Sequence, residues 1–245
     1  MMTNNHPVFE DIINYNYEQE TFTKNIGNEA RTFHISDKSR PLLSISRMLK
    51  AMVEHKYWVI PSMYLLPNKL IGQLSHRLVE QSFKEKRLVK LTGDWEQLKV
   101  WLGKDYDKFI SLKTEKQTEI INQVNNIIYT LLQIFKEKEI VIKAAEKYIC
   151  NDFYHGYIDL IGYIKGRPAI FELKTSSLTT PKYETNLQMG LYKHLISQVP
   201  ELETYSIRFN TKTQKVNFEY VEPDDFKHLD YIYKNILNKG VINGN

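Results

Sequence analysis

The chain has 245 residues, of which 42% are hydrophobic and 25% are charged, so it is long enough for a buried core and has the composition of a globular protein. Its net charge of +4 is compatible with a polyanionic partner but is too small to indicate one. The single cysteine, Cys150, excludes an internal disulfide, a cysteine-rich zinc site and a four-cysteine iron–sulfur cluster, and it favours a reducing compartment.

Neither membrane insertion nor export is expected from the sequence. The longest apolar stretches are far shorter than the roughly 20 residues that a membrane span needs. The N-terminus carries acidic residues at positions 10, 11, 18 and 20 and has no arginine before Arg31, which argues against a secretory signal and a mitochondrial transit peptide. We therefore expect a cytoplasmic protein, in a bacterium or in a phage-infected host cell.

Helical spacing dominates the first part of the chain. Residues 1–43 are polar and lack periodicity, which predicts an N-terminal arm that packs loosely. Over residues 44–138, apolar side chains recur at helical intervals. The predicted helices begin near Ser44, near Asn68 after Pro61 and Pro67, at Trp95 after a Thr92–Asp94 turn, and at Thr114, where the longest one runs to Lys138.

After Lys138 the spacing becomes that of strands. The predicted strands cover residues 141–150, 155–165, 168–175, 205–210 and 216–220, with Gly166-Arg167 as a tight turn between the second and the third. Helical spacing returns over residues 183–198 and 223–238. This order predicts one α/β domain over residues 44–245, with a helical part at 44–138 and an α/β core at 139–245.

Charged residues interrupt two of the apolar strands. Asp159 ends the segment Gly156-Tyr-Ile-Asp159, and Glu172 and Lys174 alternate around Leu173 on the next strand, so both project to one face. Because neighbouring strands lie about 5 Å apart, Asp159 and Glu172 can converge on one cation, and carboxylate oxygens favour magnesium or manganese. The alternative is an exposed edge strand with an ordinary ion pair, although charges inside buried strands are costly unless they are paired or bind metal.

The pattern Asp159 … Glu172-x-Lys174 resembles the core of the PD-(D/E)XK nuclease superfamily. Two further motifs resemble its RecB-like branch, which includes many phage exonucleases and the mitochondrial genome-maintenance exonuclease: Gly72-x-x-x-His76-x-x-x-Glu80 upstream and Gln188-x-x-x-Tyr192 downstream. The resemblance covers residues 44–199, with Ile158 where the superfamily name has proline. It implies a restriction-endonuclease-like α/β fold, a mixed central sheet flanked by helices, with an α-helical N-terminal half.

The resemblance also implies an activity and a set of roles. The implied ligands of Mg²⁺ or Mn²⁺ are His76, Asp159, Glu172 and the main-chain carbonyl of Leu173. Lys174 would orient or help deprotonate the attacking water, or would neutralise charge on the phosphate, while Gln188 and Tyr192 would help hold the scissile strand. The main hypothesis is a metal-dependent deoxyribonuclease, an exonuclease that acts on single-stranded DNA or DNA ends in repair, recombination or replication.

Three other hypotheses stay open at this point. The same centre can serve a structure-specific endonuclease, the fold can persist as a catalytically inactive nucleic-acid-binding module, or the Glu-x-Lys pattern can be fortuitous in an unrelated α/β protein. Tyr57, Trp58 and Tyr64 are candidates to stack on bases, with aromatic core packing as the alternative for each of them.

Overall fold

The structure of the protein is a computed structural model, and it describes residues 7–14, 21–26, 29–34, 43–46, 48–49, 62–151, 154–175 and 182–223. The chain forms a mixed α/β fold, as the sequence predicts, in which a six-stranded mixed sheet is combined with helices. Within the described ranges, no helix is both long enough and apolar enough to cross a lipid bilayer. The helix expected at residues 223–238 lies almost entirely outside the described residues.

Regular structure begins inside the segment that the sequence predicts to be a loose arm. It contains helix α1 (Pro7–Asn14), the antiparallel hairpin of β1 (Thr21–Ile26) and β2 (Glu29–His34), and the short strand β3 (Leu43–Ser44).

Helix α1 is docked through side chains that lie one turn apart. Phe9 is fully buried, Ile13 is nearly so, and the Phe9 ring meets the Tyr163 ring edge-on at 5.4 Å. The Tyr163 hydroxyl also donates to the Glu10 carboxylate at 2.8 Å. Since i and i+4 share one face of a helix, Phe9 and Ile13 give α1 an apolar side that packs into the core. This part of the expected arm is therefore not loosely packed.

The helical part comprises α2 (Ser62–Lys84), α3 (Trp95–Leu102), α4 (Tyr106–Ile110) and α5 (Thr114–Glu137). Helix α2 begins six residues before Asn68 and continues through Pro67, so the predicted start near Asn68 is wrong. The proline removes one backbone donor without ending the helix. The predicted start of α3 at Trp95, after the Thr92–Asp94 turn, is confirmed, and the Asp94 carboxylate caps the helix by accepting hydrogen bonds from the main-chain N–H groups of Glu96 and Gln97.

The sheet is built from β3 together with β4 (Ile140–Cys150), β5 (Tyr154–Ile164), β6 (Arg167–Thr175), β7 (Glu203–Phe209) and β8 (Val216–Tyr220), and helix α6 (Lys182–Leu195) connects β6 to β7. The strand order is β3-β5-β6-β7-β8, with β4 paired to β5. The β3–β5 and β6–β7 pairs are parallel and the others are antiparallel. The β5–β6 turn centres on Lys165 and Gly166, which both have positive φ, one residue earlier than predicted.

Two apolar cores enclose the sheet, and β6 contributes alternately to both. Phe171 and Leu173 belong to the core that also contains the buried faces of α2, α3 and α5. Ile170 belongs to the core formed with α1 and α6. The sheet therefore lies between two apolar layers, with Glu172 buried and Lys174 partly buried between them.

Candidate metal and active centre

The candidate site lies where β5 and β6 part from each other. The antiparallel ladder between these strands starts at their turn and ends with the pair Leu160–Phe171. Beyond it, β3 pairs with β5 only at Tyr154 and His155. Among the strands that the structure describes, residues 156–158 of β5 are thus paired on the β4 side, while the other edge opens into a fork. Asp159 lies at this fork.

The Asp159 side chain forms a hydrogen bond to β6 beyond the last main-chain pair. Its Oδ2 accepts a hydrogen bond from the main-chain N–H of Leu173 at 2.7 Å, just past the last paired residues of the two strands. Because Glu172 and Lys174 flank Leu173, this bond holds Asp159 beside both of them. The structure thus brings together the three residues of the Asp159 … Glu172-x-Lys174 pattern. Asp159 and Glu172 are both buried, with exposed fractions of 6% and 4%.

His76 reaches the same point from helix α2. Its Nδ1 lies 2.7 Å from Glu146 Oε1 and 3.2 Å from Asp159 Oδ1. The neighbouring side chains Leu74 and Leu78 are fully buried in the core between α2 and the sheet, which fixes the face that His76 presents. One potential ligand atom from each of His76, Glu146 and Asp159 lies within 4.8 Å of the other two, a spacing that can accommodate one divalent cation.

Glu146 was not among the residues expected from the sequence. It lies on β4 next to Lys147, which pairs with Ile158, so Glu146 faces Asp159 across the β4–β5 ladder. Its φ of 48° is in the left-handed region, which non-glycine residues adopt at a cost of about 1–3 kcal/mol and which is enriched at functional sites. The register of the β4–β5 hairpin is the sequence signal that could have identified it.

The residues of the helix after β6 form a hydrogen-bonded network with Glu172 and Lys174. The Lys174 ammonium donates to Glu172 Oε1 at 2.6 Å and to Gln188 Oε1 at 2.9 Å, and Gln188 Nε2 donates to the same Glu172 oxygen at 2.9 Å. Gln188 Nε2 also donates to the Tyr192 hydroxyl at 3.2 Å, and this hydroxyl donates to the main-chain carbonyl of Tyr157 at 2.6 Å. Helix α6 therefore connects β5 and β6 through hydrogen bonds at the point where the two strands separate.

The electrostatics of the site follow from its burial and from its excess of carboxylates. Burial raises the pKa of Glu172 to about 7, and the charge of Asp159 adds to this effect. Burial alone would lower the pKa of His76, but the Asp159 and Glu146 carboxylates outweigh it and raise this pKa well above its usual value. Burial would likewise lower the pKa of Lys174, yet Glu172 and Asp159 raise it, so Lys174 stays an ammonium at neutral pH.

The other two residues of the upstream motif, Gly72 and Glu80, lie away from the candidate metal ligands. A Cβ atom at Gly72 would lie 3.0 Å from Thr175 Oγ1, so this glycine lets α2 approach a side chain of β6 rather than its backbone. Glu80 forms ion pairs with Arg77 at 2.9 Å and Lys84 at 2.7 Å along the surface of α2, in place of a role at the site. Tyr57, Trp58 and the side chain of Tyr64 lie outside the described residues.

The donor set fits a hard divalent cation. Glu172 Oε2 is buried and has no hydrogen-bond partner among the described residues, whereas its Oε1 accepts from two donors. A buried carboxylate oxygen without a partner is costly, and a cation beside it would remove that cost. One imidazole nitrogen together with several carboxylate oxygens, and no thiolate, is a combination that suits magnesium or manganese.

Comparison with known proteins gives little further information. No protein-family model matches the chain, and no curated protein gives a significant match. A solved structure described as "Crystal structure of SSO0001" is similar over 80% of this chain and 84% of the other, with 12% sequence identity and a TM-score of 0.32. The functional assignment therefore rests on the residues of the site.

Proposed function

We propose that this protein is a metal-dependent nuclease of the PD-(D/E)XK type with a restriction-endonuclease-like core. The observation that carries the proposal is the fork between β5 and β6, where Asp159, Glu172 and Lys174 meet His76. A fortuitous Glu-x-Lys pattern would not require a histidine and a further carboxylate, from two other elements, at the same point. The complete residue set also favours an active enzyme over an inactive binding module.

We infer that His76, Asp159 and Glu172 hold Mg²⁺ or Mn²⁺, with Glu146 as a further acidic ligand. The main-chain carbonyl of Leu173 is the ligand that the resemblance adds to this set. When bound, such a cation activates a water molecule as a nucleophile and neutralises the charge that develops on the phosphate. The unpartnered Oε2 of Glu172 supports the inclusion of this residue, and the short Nδ1–carboxylate distances support His76 and Asp159.

Lys174 acts in this proposal as a fixed positive charge. Its raised pKa favours a role in neutralising the phosphate or orienting the attacking water over a role in removing a proton from it. Gln188 holds Lys174 and Glu172 at once, and Tyr192 anchors Gln188 to the β5 backbone. Both are therefore positioning residues for the catalytic groups, in addition to the contact with the scissile strand that the resemblance implies.

The substrate that we propose is DNA, single-stranded or with a free end, cut by an exonuclease in repair, recombination or replication in the cytoplasm. The family resemblance supports this choice, and the net charge of +4 is compatible with it. A structure-specific endonuclease would use the same centre, and a substrate without ends separates the two.

The test is cleavage of 5′- and 3′-labelled single-stranded DNA and of covalently closed circular DNA, each with Mg²⁺, Mn²⁺ or EDTA. We expect metal-dependent cleavage that falls by about 100-fold or more in Lys174→Ala. The matched control is Lys116→Ala, which breaks a Lys–Glu pair of similar length, 2.8 Å, on the exposed surface of α5. Cleavage that persists in EDTA, or that is equal in the Lys174 and Lys116 variants, contradicts the proposal. The label pattern gives the polarity, and cutting of the circle identifies an endonuclease.

A further inference from the structure

One aromatic side chain beside the site is exposed where its neighbours are buried. Tyr157 is the single exposed residue among the eleven of β5, with an exposed fraction of 40%. The residues on either side, Gly156 and Ile158, are buried. The exposed part of this side chain lies two residues from Asp159, so a ligand bound at the candidate site can reach an aromatic surface there.

The Tyr157 ring contacts the ring of its cross-strand neighbour. Tyr148 lies opposite it on β4, with ring centroids 5.2 Å apart and planes inclined by 60°. Tyr148 is itself buried, and its other contacts include the ring of His155 at 5.5 Å. The exposed ring therefore rests on a fixed aromatic support, which limits the conformational entropy that a ligand would have to remove from it.

The position of Tyr157 relative to the catalytic groups is set by the strand. It precedes Asp159 by two residues, so the two residues lie on the same side of the strand and about 7 Å apart along it. Its main-chain carbonyl accepts the Tyr192 hydroxyl, which is bonded through Gln188 to Glu172 and Lys174. An extended nucleic-acid strand with one phosphate at the candidate metal centre would carry an adjacent base within reach of the Tyr157 ring.

We propose that Tyr157 is a stacking platform for an unpaired nucleobase next to the scissile phosphate. This inference rests on the proposed function and specifies its substrate as single-stranded. A base inside a duplex is already stacked on both faces, so only a single strand or a frayed end can offer a free face to the ring. The interaction is independent of base identity because every base has such a face.

The experiment compares the wild type with Tyr157→Ala and Tyr157→Phe on a single-stranded oligonucleotide and on the same sequence as a blunt duplex, with Mg²⁺ or Mn²⁺. We expect Tyr157→Ala to raise KM for the single strand by about 10-fold with kcat nearly unchanged, since one stacked base is lost. Tyr157→Phe keeps the ring and should behave as the wild type. The control is Tyr129→Ala on α5, whose side chain is 41% exposed, and its KM should not change.

A second measurement does not depend on the folding of any variant. The wild type is tested on oligonucleotides that carry one abasic position, moved stepwise from the cleaved bond. The proposal requires KM to rise when the missing base is the one next to that bond, and requires Tyr157→Ala to be insensitive to the same change.

The outcomes separate this inference from the proposed function. If the wild type cleaves DNA but neither the abasic position nor Tyr157→Ala raises KM, the stacking platform is refuted and the nuclease stands. An equal increase in KM for single strand and duplex also refutes it, because the ring would then contact the backbone. If the wild type neither binds nor cleaves DNA with either metal, the proposed function fails and this inference fails with it.

Discussion

Divalent cations should stabilise the folded protein through the cluster of His76, Glu146 and Asp159. A ligand that binds only the folded state adds RT ln(1 + [L]/Kd) to the free energy of unfolding, about 2.7 kcal/mol at one hundred times Kd. For a chain of this size, each kcal/mol shifts Tm by about 2–4 °C. Saturating Mn²⁺ should therefore raise Tm by about 5–10 °C in a thermal melt. Removing one of the charged ligands by Glu146→Gln should abolish most of this increase.

The pH dependence of this effect has a defined sign. Without metal, the pKa of His76 is higher in the folded protein than in the unfolded chain, where it is about 6.5. The ion pairs of His76 therefore contribute their full stability below the unfolded pKa, and this contribution is lost as the pH rises through the pKa of the folded protein. A cation needs the neutral imidazole, so its binding releases this proton, and below about pH 7 it also releases that of Glu172. The increase in Tm caused by Mn²⁺ should thus grow from pH 6 to pH 8.

The control for this prediction is Glu80→Gln. Glu80 lies on α2 one turn after His76, its side chain is 18% exposed against 20% for Glu146, and it is ion-paired to Arg77 and Lys84. This variant should keep the full response to Mn²⁺. An unchanged response in Glu146→Gln, an equal loss in Glu80→Gln, or a response that shrinks as pH rises would refute the assignment of the cation to this cluster.

Two predictions concern packing around the site. Gly156→Ala should lower the free energy of unfolding by about 1–3 kcal/mol in urea titrations and should also reduce cleavage. The reason is that the new Cβ would lie 2.8 Å from side-chain atoms of both Ile45 and Tyr192. An unchanged unfolding midpoint would show that this space is not filled. Phe9→Ala should cost about 3–5 kcal/mol by the same assay, since Phe9 is fully buried against Tyr163; a cost near zero would mean that the N-terminal segment is the loose arm that its composition suggests.

Elements with strong local periodicity could be predicted closely from the sequence. The predicted start of α5 at Thr114 and both ends of β8 agree with the structure, and β4, β5 and β6 agree to within one residue at each end. Apolar spacing sets these boundaries, and it is a local property of the chain. Helix α1 could not be predicted in this way, because a single apolar pair, Phe9 and Ile13, becomes informative only when the sheet is present to receive it.

Some residues of the site could likewise be predicted from the sequence, and Glu146 could not. Asp159, Glu172 and Lys174 interrupt apolar strands, so their cost in a buried sheet is visible in the sequence. Glu146 carries a weaker signal, because two other charged residues of β4, Lys143 and Lys147, lie close to it in the sequence. Its position follows from the turn, where the main-chain N–H groups of Asn151 and Tyr154 bond across the chain reversal and fix Cys150 opposite His155. Counting back from that pair by equal steps puts Glu146 opposite Asp159.

The addition of Glu146 changes the charge balance of the centre. The site contains three carboxylates, those of Glu146, Asp159 and Glu172, and two side chains that can carry a positive charge, those of His76 and Lys174. With all five groups charged, the metal-free site has one negative charge in excess. Burial, together with the charge of Asp159, raises the pKa of Glu172 to about 7, and a proton on this residue removes the excess. A divalent cation would take the place of the protons on Glu172 and His76, so under the proposed function the acidity that disfavours the metal-free centre would favour the binding of metal.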